Sequence, residues 1–230
     1  KTLSHFSDLP FSYLSYQKNI LTTGLKKPVH YSIGERTKKG TFRPCVKTIP
    51  FSTITGALRE KFNRADIYAT GKLASEYLEN IDNFRNIHVY SPRYIIEDVA
   101  RLPLKIEFLT DVNAHVYLFL RDEKVEAFCQ QDKNKSFDIV MGAFKTKGFG
   151  DCHLEFLRII EDAKMVNGGL QTRIPDPEIY PNYFGIGKVK KPIYGYLFEP
   201  TNNVTGKYIK SIFEGSLVEG YDFLVEEVQI

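Results

Sequence analysis

The sequence predicts an α+β fold built on antiparallel sheet. Three observations carry that expectation. Segments of strand character outnumber helical ones, the helical segments are few, and the 230 residues contain no run of β-α-β units. No self-similarity at a solenoid period appears either. The length allows one large domain or two small ones with a sizeable core. With 43% hydrophobic and 26% charged residues the composition is that of an ordinary globular chain, which excludes the disordered and fibrous classes. Trp is absent while Tyr and Phe are plentiful, a bias that suits a β-rich core and leaves rings that could stack on bases. A net charge of +3 is too small to indicate a nucleic-acid partner, so any such argument rests on where the basic residues lie.

Taken in order, positions 1–25 mix aromatics with polar residues, and Phe11 to Tyr16 suits a strand or a short helix, the strand being favoured. Lys26 to Lys47 then carries Lys26, Lys27, Arg36, Lys38, Lys39, Arg43 and Lys47 against the single acid Glu35, with Gly34 and Gly40 making the backbone pliable. Charge runs of this kind are commonly solvated hairpins. This one leads straight into Ile49-Pro50-Phe51-Ser52-Thr53-Ile54-Thr55-Gly56-Ala57-Leu58-Arg59-Glu60-Lys61-Phe62. Ile54, Leu58 and Phe62 recur every four residues and define one apolar helical stripe. Pro50 ends a ladder, and Ser52 or Thr53 could cap the amides of the helix start. Gly56 and Ala57 keep the first turns bare, and Arg59 one turn on would complete an anion site. Any capped amphipathic helix with a tolerated glycine would look the same.

Beyond it, Ala69 to Asn80 reads as a second helical piece, with Leu73, Ala74, Tyr77 and Leu78 on one face. Asn86 to Tyr94 reads as a strand and Arg93 to Ala100 as a connector. Leu104 to Phe108 and Ala114 to Arg121 form the clearest strand pair, joined through the turn-like Asp111, Val112 and Asn113. Phe137 to Ala143 is a further strand, and Cys152 to Asp162 begins as one. Gly168 to Pro181, rich in Gly, Pro, Asn and Asp, reads as a long loop. Strands follow at Ile193 to Glu199, Lys207 to Phe213 and Tyr221 to Val228, with a turn at Glu214-Gly215-Ser216.

Two glycine segments stand beside lysines: Lys145-Thr146-Lys147-Gly148-Phe149-Gly150-Asp151, and Phe184-Gly185-Ile186-Gly187-Lys188-Val189-Lys190-Lys191. Such loops can turn successive amides toward an anion. They equally suit glycine-bearing hairpins. Neither has the strand, third glycine and helix of a dinucleotide site, and no P-loop is present.

The helix segment resembles the I-P-x-S-x-x-x-G-A-x-R pattern of the RAMP superfamily, the repeat-associated proteins that build CRISPR RNA-guided effector complexes. Lys145 to Gly150 is similar to that superfamily's late glycine-rich loop, and Phe213-Glu214-Gly215-Ser216 to the E-G-S ending of its handle-capping members. The resemblance implies one RAMP-type domain over 1–230. Its core would be ferredoxin-like (RRM-like) antiparallel sheet with β-hairpin insertions and glycine-rich loops. It also implies a non-catalytic, CRISPR RNA-binding subunit of an antiviral ribonucleoprotein complex, of the handle-capping type rather than the backbone type. The partners would be CRISPR RNA and other Cas subunits, including a large subunit and backbone subunits. The RNA contacts then fall on Lys38, Lys39, Arg43, Ser52, Thr53, Gly56, Arg59, Lys145, Lys147, Gly148 and Gly150. Lysine and arginine would grip phosphates and the small residues would admit the RNA backbone.

The catalytic alternative within the same superfamily is a metal-independent endoribonuclease, which needs a base for the 2′-hydroxyl and an acid for the leaving group. Of His5, His30, His88, His115 and His153, the best placed is His30 beside Tyr31 in the basic segment, followed by His153 after the glycine loop. His115 lies in an apolar run and reads as a core or cross-strand residue. A metal-assisted aspartate, as in backbone-type members, has no counterpart before residue 50: Asp8 is too early, and Asp151 lies in the wrong loop. The balance is against an enzyme. A protein-interaction module without RNA is the third reading. No cofactor and no metal are expected. Cys45, Cys129 and Cys152 are odd in number and show no C-x-x-C spacing, which argues against a disulfide framework or a zinc site. No apolar run is long enough to span a bilayer and no signal pattern opens the sequence, so a cytoplasmic protein without membrane contact is expected.

Overall fold

The computed structural model describes residues 20–26, 41–91, 102–119, 136–160, 162–181, 183–200 and 205–227. The chain runs β1 (Ile20–Lys26), β2 (Phe42–Arg43), β3 (Thr48–Ile49), α1 (Phe51–Phe62), β4 (Tyr68–Leu73), α2 (Ser75–Glu79) and α3 (Ile81–Phe84). It continues through β5 (Arg85–Tyr90), β6 (Leu104–Leu109), β7 (Ala114–Phe119), β8 (Ser136–Val140) and β9 (Asp151–Ile160). The last part adds β10 (Met165–Leu170), β11 (Ile174–Pro175), β12 (Ile186–Lys191), β13 (Tyr194–Pro200), β14 (Gly206–Ile212), β15 (Leu217–Tyr221) and β16 (Val225–Glu227). Strands dominate and helices are few, as expected of α+β. No described helix is long and apolar enough to cross a membrane.

A six-stranded sheet, ordered β3-β4-β7-β1-β9-β8 and antiparallel at every pairing, forms the centre. Its strand β7 explains the near-continuous apolar run of the sequence. Val116 and Leu118 point into a core shared with α1, while Tyr117 and Phe119 point into a second core under the C-terminal sheets. A strand buried on both faces has no polar positions to alternate. The C-terminal half supplies a four-stranded sheet, β12-β15-β10-β16, and a three-stranded one, β11-β14-β13. A further sheet, β2-β6-β5, is small, with β2 parallel to β6.

Helix α1 packs its Ile54 and Leu58 into the first core. Full burial of such a side chain is worth about 1.5–3 kcal/mol each. The buried Thr55 hydroxyl accepts the Ala69 amide (2.9 Å) and donates to the Ala69 carbonyl (3.0 Å), which fastens the helix to β4. Asn63 closes it in the left-handed region, its amide reaching the Arg59 carbonyl.

Several expectations are corrected. Tyr68 to Leu73 is a strand, not the start of a helix; both of its edges are taken by β3 and β7, and only Ser75–Glu79 is helical. Leu104–Leu109 and Ala114–Phe119 are strands in different sheets rather than a hairpin, because β6 pairs with β2 and β5 while β7 lies between β4 and β1. The expected loop from Gly168 contains the end of β10 and all of β11. The second glycine segment is mostly strand β12, with only Gly185 in the left-handed region (φ 62°). The region from Tyr221 onward is divided between β15 and β16, a turn separating them. Phe11 to Tyr16 and Arg93 to Ala100 lie outside the described residues.

Candidate nucleic-acid interface

The helix start is not the anion site that its sequence suggests. Pro50 occupies the cap position, and no side chain caps the helix. The Phe51 amide donates to the Arg173 carbonyl (3.0 Å), and the Thr53 and Ile54 amides donate to the Pro50 carbonyl (3.0 and 3.3 Å). Ser52 and Thr53 are half-buried within the first turn, so their expected capping role is corrected. Gly56 lies one turn further along the helix.

Arg59 turns inward. Its Nε donates to the Ile67 carbonyl (2.9 Å), its Nη1 lies 3.6 Å from Oε1 of the buried Glu199, and its guanidinium covers the Tyr68 ring at 4.8 Å. Glu199 also accepts the Tyr180 hydroxyl and sits 3.4 Å from Lys207. Burial, and after it the hydrogen bond to Glu199, push the Tyr180 hydroxyl well above the usual tyrosine range. The charge of Arg59 thus serves the junction between α1 and β13.

The Glu214-Gly215-Ser216 turn is tied to the same helix. Glu214 holds Arg173 through two hydrogen bonds (2.6 and 2.7 Å), and it is the Arg173 carbonyl that receives the Phe51 amide. The Ser216 hydroxyl donates to the Phe213 carbonyl and accepts the Ile193 amide. This turn is built for structure.

The glycine loop from Met141 to Gly150 is organised differently. The Met141 amide closes it on the Gly150 carbonyl (2.9 Å). Inside, a 3₁₀ turn at Lys145–Lys147 is framed by Phe144 (φ 60°) and Gly148 (φ 80°). At Gly150 (φ 93°) a Cβ would lie 2.0 Å from the Met141 carbonyl oxygen, so only glycine fits; at Gly148 there is open space and the demand is conformational alone. The Phe149 ring packs edge-on against Phe108 of β6 (5.2 Å), and Lys147 Nζ covers the ring of Tyr90 on β5 (4.9 Å). Those contacts dock the loop on the β2-β6-β5 sheet, whose strand β2 carries Arg43. Arg43 is half-buried and donates to the Phe42 carbonyl (3.3 Å). Lys145 and Lys147 are exposed and have no acidic partner among the described residues.

Lys145 also lines a cleft of about 690 Å³ between α1, β8 and β9, together with Lys61, Glu60, Asp138, Asp151 and His153. His153 Nδ1 and Asp138 Oδ1 are 2.7 Å apart, placed by the direct register of the two residues across β8 and β9. Cys152 lies on the inner side of the same strand, where burial pushes its thiol up to about 12. The structure therefore brings the glycine loop together with Arg43 on one side and with α1 on the other. Lys38, Lys39, His30 and Tyr31 lie outside the described residues. Lys61 and Asp138 escape sequence reasoning: Lys61 looks like a solvated helix end, and Asp138 meets His153 only through strand register.

No family model matches the chain, and neither does any curated protein. Among solved structures, the chain is similar to one in the cryo-EM structure of the Type III-B Cmr-beta bound to cognate target RNA. The TM-score is 0.48 and the identity 12%, over 86% of each chain. The same assembly bound to cognate target RNA and AMPPnP, state 1, contains a chain similar at TM-score 0.47 and 13% identity, again over 86% of each. A chain of a CRISPR RNA-guided surveillance complex is similar at TM-score 0.43 and 11% identity, over 89% of this chain and 92% of that one.

Proposed function

We propose that the chain is a non-catalytic RAMP-type subunit that holds CRISPR RNA inside an effector complex, with a large subunit and backbone subunits as neighbours and the cytoplasm as its setting. A ferredoxin-like core and the handle-capping role belong to the same proposal. One observation carries it. The Lys147–Tyr90 contact pins the basic glycine loop to the sheet that bears Arg43, so two basic segments about a hundred residues apart in sequence share one surface. A loop locked by its own backbone presents lysines to phosphate without ordering cost at the moment of binding. The contacts proposed are Arg43, Lys145 and Lys147, with Lys38 and Lys39 from the preceding run.

The test is binding of labelled repeat-derived RNA, against scrambled RNA and DNA, over a salt series. Lys145→Ala/Lys147→Ala should weaken binding and lower the salt slope by about 1.4, near 0.7 for each phosphate contact on a single strand. An unchanged slope in that variant sinks the proposed site.

The His153–Asp138 pair favours a second reading, metal-independent RNA cleavage. With Nδ1 engaged by the carboxylate, Nε2 is the nitrogen left to accept a proton, and Lys145 and Lys61 line the same cleft. Against it, the three carboxylates of Glu60, Asp138 and Asp151 outnumber the two ammonium groups of Lys61 and Lys145 in that cleft, which disfavours a phosphate. Discrete products formed in chelator and lost in His153→Ala would establish cleavage; intact RNA would dismiss it.

A further inference from the structure

We propose that the outward face of the β13–β14 hairpin, entered from the lysines of β12, is a stacking track for single-stranded RNA. This inference rests on the RNA-holding reading above and adds a second contact surface to it. Tyr194, Tyr196 and Phe198 alternate along β13, and the register sets Tyr196 opposite Lys210 and Phe198 opposite Tyr208. The intervening Leu197 and Ile209 point inward to the second core. The outward rings remain open to solvent, Tyr196 at 70%, Tyr194 at 53%, Tyr208 at 48% and Phe198 at 41%.

The rings are held in place before any ligand arrives. Phe198 packs edge-on against Tyr208 (5.4 Å) and lies over Gly206, where a Cβ would come within 2.5 Å of the ring. Tyr194 is covered by Lys210 Nζ at 3.9 Å, and that ammonium is fixed by the buried Asp176 at 2.7 Å. Tyr196, between them, makes no ring contact among the described residues and is the ring most available to a base.

Spacing selects the ligand. Alternate residues on a strand are about 6.8 Å apart. That is twice the roughly 3.4 Å per nucleotide of a stacked duplex strand, so one base per ring requires an extended single strand. Charge points the same way. Lys188, Lys190 and Lys191 on β12 are exposed and form no ion pair among the described residues, Lys188 standing opposite Glu219 of β15 while Lys190 and Lys191 have no acid opposite, and only Pro192 and Ile193 separate them from Tyr194. Three residues span at most about 11 Å, within reach of a neighbouring phosphate. The core of a protein–protein interface is depleted in lysine, whereas this face interleaves lysine with rings.

The experiment measures the affinity of a fluorescent 12-nucleotide oligoadenosine and of its duplex with the complementary strand, with melting temperature as the folding control. The track predicts tighter binding of the single strand. Tyr196→Ala should weaken it about 5- to 150-fold, with Tyr196→Phe restoring it. Lys188→Gln/Lys190→Gln/Lys191→Gln should lower the salt slope, and ultraviolet crosslinking should mark the peptide of Tyr194 and Tyr196. Unchanged affinity in Tyr196→Ala, with loss in Lys145→Ala/Lys147→Ala, overturns the track and leaves the glycine-loop site standing. Unchanged RNA affinity with loss of assembly with another subunit overturns it in favour of a docking face. Failure of the unaltered chain to bind the single-stranded oligoadenosine overturns the track, and failure to bind repeat-derived RNA as well overturns the RNA-holding reading with it.

Discussion

Arg59 and Lys147 stand in similar sequence settings, each within three residues of a glycine in a segment suited to phosphate, yet the fold uses them in opposite ways. Arg59 is drawn into the seam between α1 and β13, where Ile67, Tyr68 and Glu199 occupy its guanidinium. Lys147 projects from a closed loop and rests on an aromatic ring at the surface. A cation close to a buried carboxylate becomes part of the stability of the fold; one without an acid stays available to a ligand. The comparison teaches that the partner, not the motif, decides what a basic residue is for.

The sharpest way to break the comparison is to remove the buried side of the seam. Glu199→Ala should lower stability most, by about 3 kcal/mol, since it takes the carboxylate from Arg59, Tyr180 and Lys207 together, while Arg59→Ala should cost about 1–3 kcal/mol, because Lys207 and Tyr180 still partner Glu199. Urea denaturation reads the loss, and the paired Arg59→Met/Glu199→Gln change should recover part of it. An unshifted midpoint for Arg59→Ala would mean that its charge is not structural. Next in size is Gly150→Ala. It meets both a left-handed backbone and the Met141 carbonyl at 2.0 Å, and should cost about 1–3 kcal/mol or more. Gly148→Ala, with open space around it, should cost only the conformational share, about 1–2 kcal/mol. Equal losses at the two glycines would show that the loop is not closed as described.

Smaller still, Lys145→Ala/Lys147→Ala should leave stability within about 0.5 kcal/mol while altering the RNA salt slope, which separates the two kinds of basic residue directly. The smallest effect concerns pH. His115 faces Lys72 across β4 and β7, and burial first, then the charges of Lys72 and Arg158, hold its pKa below the ordinary histidine value. The unfolded chain therefore binds more protons between that lowered value and about 6.5, so stability falls as pH drops through this window. Melting curves at pH 7.5, 6 and 5 should show a shallower decline in His115→Gln than in the unaltered chain. Parallel declines would remove His115 from the account.

Much of the architecture was legible where local pattern and tertiary context agree. The α1 stripe of Ile54, Leu58 and Phe62, the β7 run and the Glu214-Gly215-Ser216 turn stand where the sequence places them. Tyr68 to Leu73 misled because Ala69, Leu73 and the residues after them also satisfy a helical period, and only pairing on both edges makes the segment a strand. At the site, Lys145, Lys147, Gly148 and Gly150 could be picked out because glycine beside lysine has a local meaning. Asp138 could not, since its relation to His153 exists only through the β8–β9 register.

By itself, the sequence determined the α+β class, the helix from Phe51 and the location of the basic glycine loop, because hydrophobic period, chain breakers and charge act over a few residues. Tertiary structure alone decided that Arg59 turns inward, that Glu214 supports the helix start through Arg173, and that Lys147 packs on the sheet that carries Arg43. These depend on which distant strands pair and which carboxylates they bury, and pairing between segments a hundred residues apart leaves no trace in the local order of side chains.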